Sequence, residues 1–425
     1  MALLKVTSPN FASAVCSDQT SGLSSSIPVF AIIDSAYSTS QELHYQVENY
    51  NTTTGVIYFW VNIPILHHAT TDKLYCYFGS TGTPSTSHTA SWQKLTWSSV
   101  TATAGINYSG VWHFNDDPTA AAPQFADATV NNNNLYTGSS GTVTQNASSQ
   151  IGNGITLNGT SVLDVGATNL PNSDADQSLS IWASYPTITS SITAENLIVL
   201  ENSTNPASSG NGTQLGVLVD KVTLSNSLLQ TWRWANRLTP LVKKTGPPSA
   251  NTWHHYFYTY KKTGNVSNLY VDGALSAGPT TTYTPFSGAV DMVAFGDYIK
   301  NTLNPDGVTY THSEGGQSFT GTMDESHLIG ATLSADWVKA EYINQQNPDA
   351  FTTAGSMQTN SVRASATAGY LSYSWKGVNT TISNASNWDN TTANISNEAP
   401  VNSNVNWVIP GGKSKSSVPL ANGIV

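Results

Sequence analysis

The chain has 425 residues, only 10% of them charged, and a formal net charge of −10. The charge is diffuse and forms no basic stripe, which argues against a nucleic-acid partner. Hydrophobic residues make up 39% of the chain, and its 12 Trp, 19 Tyr and 11 Phe are spread along it. The sequence therefore predicts folded domains with large cores rather than disorder.

The composition also indicates where the protein works. Ser, Thr and Asn are abundant and Lys is scarce, so we expect an extracellular or cell-surface protein whose export signal lies outside the given sequence. The longest apolar run, residues 56–66, is too short to span a membrane and contains Asn62 and Pro64. Cys16 and Cys76 are the only cysteines. Either Cys76 is a buried free thiol or the two form a disulfide.

Short runs rich in β-branched and aromatic residues follow one another along the chain, separated by polar stretches of Gly, Asn, Ser and Pro. They lie at 178–186, 196–202, 214–224 and 253–262, and this pattern is typical of an antiparallel β-sandwich. Asp272-Gly273 stands between two apolar flanks. The pair predicts a two-residue hairpin turn, because both turn positions then take positive φ.

One helix of more than two turns is predicted, over residues 335–346. Ser334 can cap the free N–H groups of its first turn. Leu333 and Val338 can pack together across that cap, and Pro348 ends the helix.

Composition divides the chain into four parts. We predict an N-terminal β domain over residues 1–105, a larger β-sandwich over 106–352, a polar linker over 353–372 and a short C-terminal β module over 373–425. The predicted fold class is all-β.

Several pieces of the middle part occur in a fixed order. They are GVWHFNDD (110–117), FADATVNNNNLY (125–136), GITLNGTSVLDVG (154–166), QSLSIWASYP (177–186), NTWHHYFYTYKKTGNVSNLYVDG (251–273) and GTMDESHLIGATLSADWVKAEYINQQNPDAF (321–351). No piece is specific alone, but together they resemble a laminin-G-like domain of the concanavalin-A-like jelly-roll class. The resemblance implies an antiparallel β-sandwich.

The flanking parts carry two further resemblances. ELHYQVENYNTTTGVIYFWVNIPIL (42–66) and DKLYCYFGS (72–80) are similar to an uncharacterised β domain that precedes such jelly rolls in prokaryotic surface proteins, and the match begins partway through that domain. YSWKGVNTTISNASNWDN (373–390) and VNWVIPGG (405–412) resemble part of a Trp-rich β module of bacterial surface proteins.

Concanavalin-A-like folds include glycosidases, so the acidic pair Asp324-Glu325 needs a test as a catalytic site. In a regular strand neighbouring side chains point to opposite faces, so these two carboxylates cannot share a cleft as a retaining glycosidase requires. The same rule argues against chelation of a metal by His67-His68 or His254-His255. Serine-nucleophile motifs, phosphate loops and zinc spacings do not occur. We therefore expect no enzymatic activity.

The resemblance also implies a cation site. In the resembled family the loop that here carries Asp127 and Asn133 lies near the closing strand, which here carries Asp324 and Glu325. Calcium prefers about six to eight oxygen ligands, and these side chains supply oxygens. We predict that the four residues hold a structural calcium ion. The alternative is that Asp127 makes an Asx-type turn and Asp324 caps a strand end.

A second predicted site is an aromatic platform for a carbohydrate. Trp232 and Trp234 are two residues apart on a predicted strand, so they share a face. Tyr256 and Tyr258 are the predicted helpers of this ligand site. The alternative is that both indoles belong to the core.

The leading hypothesis is a non-enzymatic extracellular surface protein, an adhesin whose jelly roll binds a glycan or a surface-protein ligand. One alternative is a structural subunit that self-assembles into an extracellular filament or surface layer. The other is a carbohydrate-active enzyme module.

Overall fold

The protein is described from a computed structural model. The structure describes residues 1–7, 31–34, 43–51, 53–63, 74–77, 90–98, 106–138, 142–159, 162–172, 174–186, 195–202, 212–219, 227–233, 242–245, 249–281, 290–297, 299–303, 310–314, 319–351, 371–375, 388–390, 395–396 and 405–408.

The N-terminal part is built on two small antiparallel sheets. Its elements are β1 Ala2–Thr7, β2 Ala31–Asp34, β3 Tyr45–Asn51, β4 Val56–Val61, β5 Leu74–Tyr77 and the short helix α1 Ala90–Lys94, followed by a 3₁₀ turn at Leu95–Trp97. Strands β1, β4 and β3 form one sheet in that order, and β2 pairs with β5. The apolar run predicted from the sequence at 56–66 thus contains the central strand, β4.

The middle part contains most of the strands. They are β6 Tyr108–Trp112, β7 Tyr136–Thr137, β8 Thr142–Asn146, β9 Gly154–Asn158, β10 Val162–Val165, β11 Gln177–Ser184, β12 Glu195–Glu201, β13 Gly212–Val219, β14 Ser227–Arg233, β15 Val242–Thr245, β16 Trp253–Lys261, β17 Val266–Val271, β18 Ala274–Thr280, β19 Met292–Phe295, β20 Ile299–Leu303, β21 Tyr310–Glu314 and β22 Thr320–Ile329. Helices α2 Ala335–Gln346 and α3 Pro348–Phe351 follow.

Two large antiparallel sheets form a sandwich. One has the order β18-β17-β16-β11-β22-β9-β8, with β6 paired to β22, and the other has the order β15-β14-β13-β12-β19-β10-β7. Their facing residues form one buried core, to which Ile181 and Tyr258 contribute from the first sheet and Leu200 and Phe295 from the second. The predicted all-β class with an antiparallel β-sandwich is confirmed.

The outer face of the β11–β16–β22 sheet is not open to water. A second buried cluster joins Phe257 and Ile329 of this sheet to Val338 of α2 and to Leu3 and Trp60 of the N-terminal sheet. The N-terminal sheet and the helix therefore cover the back of the sandwich. This layer creates the buried space in which the candidate site lies.

The predicted helix and hairpin turn are both confirmed. Helix α2 spans Ala335–Gln346, and the hydroxyl of Ser334 accepts a hydrogen bond from the backbone N–H of Trp337. Among the described residues α2 is the only helix longer than two turns. The turn between β17 and β18 has positive φ at both Asp272 (52°) and Gly273 (72°), as a type I′ turn requires.

The chain divides into two compact units. The first contains residues 1–34, 42–80 and 84–353, and the second contains residues 35–41, 81–83 and 354–425. In the second unit β23 Leu371–Trp375, β24 Trp388–Asn390, β25 Ile395–Ser396 and β26 Val405–Val408 form a four-stranded sheet. The domain boundaries at 105 and 352 remain predictions, and the predicted linker falls almost entirely outside the described residues.

Two further sequence features can be placed only in part. Cys16 lies outside the described residues and Cys76 lies on β5, so their pairing also stays a prediction. None of the described helices is long and apolar enough to cross a membrane.

Candidate functional site

Three ionisable side chains meet between the N-terminal sheet and the sandwich: Glu48 of β3, His113 directly after β6 and Glu325 of β22. One ligand-type atom from each lies within 4.8 Å of the others. The Nδ1 of His113 is 2.9 Å from both carboxylate oxygens of Glu325 and 2.9 Å from Oε2 of Glu48. The three residues are only 7%, 5% and 1% exposed, respectively. We call them the 48/113/325 cluster.

A β-bulge positions Glu325. In the pairing of β11 with β22, Ile181 stands opposite Ser326 and Trp182 stands opposite Asp324, so Glu325 has no partner across the ladder. Its φ of 40° lies in the left-handed region, which non-glycine residues rarely adopt. A bulge of this kind redirects a side chain out of the regular alternation.

Because of the bulge, the side chains of Asp324 and Glu325 do not point to opposite faces of the sheet. Glu325 reaches His113 and His327, while Asp324 stands opposite Trp182, whose indole N–H donates to Gln345 of α2. Both carboxylates thus lie on the outer face of the sheet, toward the N-terminal sheet and the helix. The prediction that adjacent residues face opposite ways is wrong here, because the strand is irregular at this point.

The hydrogen-bond network places a hydrogen on Nε2 of His113. The indole N–H of Trp97 donates to Oε1 of Gln46 at 2.6 Å, and an indole N–H can only donate, so this atom of Gln46 is the oxygen. The Nε2 of His113 lies 3.2 Å from the same oxygen and therefore carries the hydrogen of that contact. The Nδ1 of His113 is left to face the two carboxylates.

Glu48 is held by donors from both parts of the chain. Its Oε2 accepts a hydrogen bond from the indole N–H of Trp60 at 2.9 Å, and its Oε1 accepts one from Nδ2 of Asn115 at 2.9 Å. The Trp60 ring also stacks on His113, with ring centroids 6.0 Å apart. The cluster is therefore pre-organised by contacts that join the N-terminal sheet to the sandwich.

The polar network continues from Glu325 toward the helix. His327 of β22 places Nδ1 3.1 Å from Oε1 of Glu341 in α2 and Nε2 3.7 Å from Oε2 of Glu325. The Oε1 of Glu341 also accepts a hydrogen bond from the hydroxyl of Ser180. The Nε2 of His327 has no hydrogen-bond partner among the described residues, although the side chain is only 2% exposed.

Burial and close charges shift the pKa values in this network. Burial raises the pKa of Glu48. Burial opposes protonation of His113, but the carboxylates of Glu325 and Glu48 outweigh it and raise the His113 pKa well above its usual range. Burial likewise disfavours the charged form of Glu325, but His113 lowers its pKa. Burial and the neighbouring Glu325 raise the pKa of Asp324 well above its usual range.

The predicted calcium ligands Asp127 and Asn133 lie in a separate, fully bonded loop. Oδ1 of Asp127 accepts hydrogen bonds from the N–H groups of Val111 and Thr129, and Oδ2 accepts them from the Thr129 hydroxyl and the Asn133 N–H. The side-chain amide of Asn133 bonds the backbone of Ser109 and Thr168. The Asp127–Thr129 contact is the Asx-type turn considered from the sequence.

The hydrogen bonds of the four predicted calcium ligands fall into two groups, and the calcium site stays a prediction. Asp324 accepts hydrogen bonds from the N–H groups of Ile151 and Glu325, and none of the hydrogen bonds described for Asp127 or Asn133 reaches Asp324 or Glu325. Four donors already surround the Asp127 carboxylate, whereas calcium needs free oxygen lone pairs. Of the four, only Glu325 belongs to the 48/113/325 cluster.

The structure also describes three of the four residues predicted to form the aromatic platform. Tyr256 and Tyr258 are fully buried in the sandwich core, so their rings offer no surface to a ligand, and their predicted role as ligand-binding residues is not supported by their position. Trp232 lies on β14, where it pairs with Gln214 of β13. Trp234 lies outside the described residues.

Sequence reasoning missed Glu48 and His113. Glu48 lies in a strand whose neighbours Tyr45 and Val47 are buried, and His113 ends the apolar run of β6. A charged or titratable residue inside an apolar strand is the signal that could have drawn attention to them. It could not have shown that the two meet.

Comparison with known families agrees with this architecture. Residues 157–339 match the Laminin_G_3 family, described as the concanavalin A-like lectin/glucanases superfamily. The chain contains a concanavalin A-like domain. Residues 26–119 match a domain of unknown function (DUF2341) that precedes it. These two resemblances drawn from the sequence are confirmed, and the partial Trp-rich module at the C-terminus stays a prediction.

Solved structures resemble the chain only distantly. The binding domain of botulinum neurotoxin serotype G is 12% identical with a TM-score of 0.37, and the match covers 56% of this chain and 51% of that one, so this chain spans about half its length. Domain 4 of AbnA, an extracellular GH43 arabinanase from Geobacillus stearothermophilus solved with arabinotriose, is 17% identical with a TM-score of 0.37 over 55% of this chain and 97% of that one. A SAP-like pentraxin from Limulus polyphemus is 11% identical with a TM-score of 0.31 over 41% and 71% of the two chains. No curated protein matches the chain.

Proposed function

We propose that the chain is a non-enzymatic ligand-binding protein of the cell surface, an adhesin whose concanavalin A-like domain binds a glycan or a surface protein. The match of residues 157–339 to a superfamily of lectins and glucanases supports this proposal. A fold does not define a function by itself, so the choice between binding and hydrolysis depends on the carboxylates.

The burial of Asp324 and Glu325 carries the proposal. A glycosidase needs two carboxylates that flank a sugar in an open cleft. Asp324 is 0% and Glu325 1% exposed, and both are bonded to protein groups behind the sheet. A polysaccharide cannot reach carboxylates in this position, which favours the binding role over the hydrolytic one.

We place the ligand on the seven-stranded sheet, at the edge of the face whose centre is buried at Val199 and Ala294. A cross-strand row of paired backbone positions runs from β7 to β14 through Tyr136, Leu163, Ala294, Val199, Gln214 and Trp232. At one end of the row Tyr136 is 45% exposed. At the other end stands Trp232, the predicted platform residue. The exposed ring of Tyr136 is suited to stack on a sugar ring.

A glycan array probed with the whole purified chain tests the proposal. Binding to a defined group of glycans, confirmed by calorimetry, is the expected result. Trp232→Ala and Tyr136→Ala should each weaken it at least tenfold. Leu275→Ala should not, because Leu275 is a comparably exposed residue on the opposite sheet. Release of reducing ends from a polysaccharide would overturn the non-enzymatic assignment, and a failure to bind any glycan or surface protein would overturn the adhesin.

A further inference from the structure

The 48/113/325 cluster has no part in the proposed ligand recognition, because it is buried behind the other sheet. Its composition is nevertheless unusual for a structural contact. Two buried carboxylates converge on a single imidazole nitrogen, the Nδ1 of His113. Buried charges of like sign persist only where a positive group compensates them.

The two carboxylates converge at Nδ1, so the compensating positive charge has to stand close to this atom. Gln46 already fixes the hydrogen of the other ring nitrogen, Nε2. A bare lone pair on Nδ1 would repel the three carboxylate oxygens that stand 2.9 Å from it. A single N–H on Nδ1 can be shared between the two carboxylates only through a bent contact to each. A metal cation attracts all of them together.

The spacing of the three groups fits one cation. Zn²⁺ holds imidazole nitrogens and carboxylate oxygens at about 2.0–2.2 Å, so two neighbouring ligands stand about 2.9 Å apart at a right angle and about 3.4 Å apart at the tetrahedral angle. The observed separations from Nδ1 of His113 to Oε2 of Glu48 and to Oε2 of Glu325 are both 2.9 Å. The three ligand atoms lie within 4.8 Å of one another.

The outer contacts of the cluster are those of a metal site. Metal-ligating histidines usually donate their second ring nitrogen to an oxygen, and ligating carboxylates are themselves hydrogen-bonded. Here His113 meets Oε1 of Gln46 through Nε2, and Glu48 accepts from Trp60 and Asn115. These contacts hold Nδ1 of His113 beside Oε2 of Glu48, which also accepts the hydrogen bond from Trp60.

His327 supplies a second, independent observation. Its buried Nε2 has no hydrogen-bond partner among the described residues and faces Oε2 of Glu325 at 3.7 Å. Its other nitrogen, Nδ1, meets Glu341, so Nε2 is the ring nitrogen without a hydrogen bond in the described part of the chain. Buried polar atoms are nearly always bonded, and a water carried by a cation as its fourth ligand would satisfy this one.

From this geometry we infer that Glu48, His113 and Glu325 bind one divalent transition-metal cation of the Zn²⁺ class. The site joins β3 of the N-terminal domain to β6 and β22 of the sandwich, so its role is to link the two parts of the first compact unit. One nitrogen and two carboxylates suit Zn²⁺ or Co²⁺, whereas calcium prefers an all-oxygen shell with more ligands.

The inference is tested by isothermal titration calorimetry, in which the whole chain, freed of metal with a chelator, is titrated with Zn²⁺ alone. We expect one Zn²⁺ per chain and, with Co²⁺ alone, a visible absorption band from the bound ion. Glu48→Gln and Glu325→Gln, which keep the side-chain shape, should each weaken Zn²⁺ binding at least tenfold. His254→Asn is the matched control, because His254 pairs with a single carboxylate, Asp272, and should leave binding unchanged.

Each possible result of these measurements supports or contradicts the metal site. A folded wild-type chain that binds neither Zn²⁺ nor Co²⁺ overturns the inference, as does Zn²⁺ binding that both glutamine variants retain. Binding of Ca²⁺ in preference to Zn²⁺ also overturns it. If the variants do not fold, X-ray absorption spectroscopy at the zinc edge of the wild-type chain identifies the atoms that bind the ion. A shell of nitrogen and oxygen supports the cluster, and a shell containing sulfur from Cys16 or Cys76 contradicts it.

Discussion

The side chain of Asn344 completes the hydrogen bonding of Leu3. Its Nδ2 donates to the carbonyl of Leu3 at 2.8 Å, and its Oδ1 accepts from the N–H of Leu3 at 2.7 Å. One amide of α2 thus pairs with the edge of β1 as a neighbouring strand would. The contact fastens the N-terminal sheet to the helix of the sandwich.

Asn344→Ala should therefore destabilise the whole compact unit. The change leaves a buried N–H and a buried C=O of Leu3 without partners, and each such group costs about 1–3 kcal/mol. We expect a loss of about 2–4 kcal/mol in the free energy of unfolding, measured by denaturant titration. Gln346→Ala in the exposed part of the same helix serves as the control and should change stability by less than about 0.5 kcal/mol. Equal stability of the two variants would show that the contact to Leu3 is not formed in solution.

The turn glycine Gly273 is needed for two separate reasons. Its φ is +72°, and a Cβ built on it would lie 2.9 Å from Cδ1 and 3.1 Å from Cβ of Tyr342 in α2. Gly273→Ala should cost about 1–3 kcal/mol, because it combines backbone strain with displacement of the helix.

A second glycine, Gly264, allows the backbone strain to be measured separately from the contact with the helix. Gly264 has a similar φ of +84°, but a Cβ there would meet only Val266 at an ordinary distance of 3.5 Å. Gly264→Ala thus measures the strain alone, and the additional loss in Gly273→Ala measures the contact with Tyr342. Identical losses in thermal unfolding experiments would mean that α2 does not press on the hairpin turn.

The local features of the fold were predictable and the site was not. The cap at Ser334 and the turn at Asp272-Gly273 depend on residues within a few positions of each other, and both were found. The contact between His113 and Glu325 joins residues 212 positions apart, and it depends on a bulge that no alternation pattern reveals. The Asp127 carboxylate bonds Thr129 and Asn133 of its own loop, and its predicted calcium role stays a prediction.

Asp272 gives the hairpin a pH-dependent contribution to stability. Burial opposes its ionisation, but hydrogen bonds from His254 and from the N–H of His255 outweigh burial and lower its pKa. A carboxyl whose pKa is lower in the folded state stabilises the fold above its unfolded pKa of about 3.9, and the contribution disappears as the pH falls through the folded value. Wild type should thus lose its stability advantage over Asp272→Asn between about pH 5 and pH 2.

The comparison of wild type with Asp272→Asn isolates the effect of the charge, because asparagine preserves the turn conformation. It has the shape of aspartate and tolerates the positive φ that this position requires. Thermal unfolding of both chains across this pH range provides the measurement. Two curves that stay a constant distance apart at every pH would contradict the lowered pKa of Asp272.

Removal of residues 1–105 should expose the back of the sandwich. The N-terminal sheet buries Phe257, Ile329 and Val338 together with its own Leu3 and Trp60, and such an apolar surface is not stable in water. The shortened chain should bind a hydrophobic dye, associate as its concentration rises and unfold at a lower temperature than the whole chain.

Removal of the other end provides the control for this truncation. A chain of residues 1–353 keeps the first compact unit intact, so it should unfold in one cooperative transition and bind little dye. Calorimetry and dye fluorescence on both truncated chains then separate loss of the buried cluster from the effect of shortening. The predicted boundary at residue 105 makes the sandwich a unit with its own core, whereas the second buried cluster makes the N-terminal sheet a necessary cover for its outer face. A monomeric 106–353 chain that melts at the temperature of the whole protein, without dye binding, would favour the first view and show that the N-terminal sheet is dispensable for the sandwich.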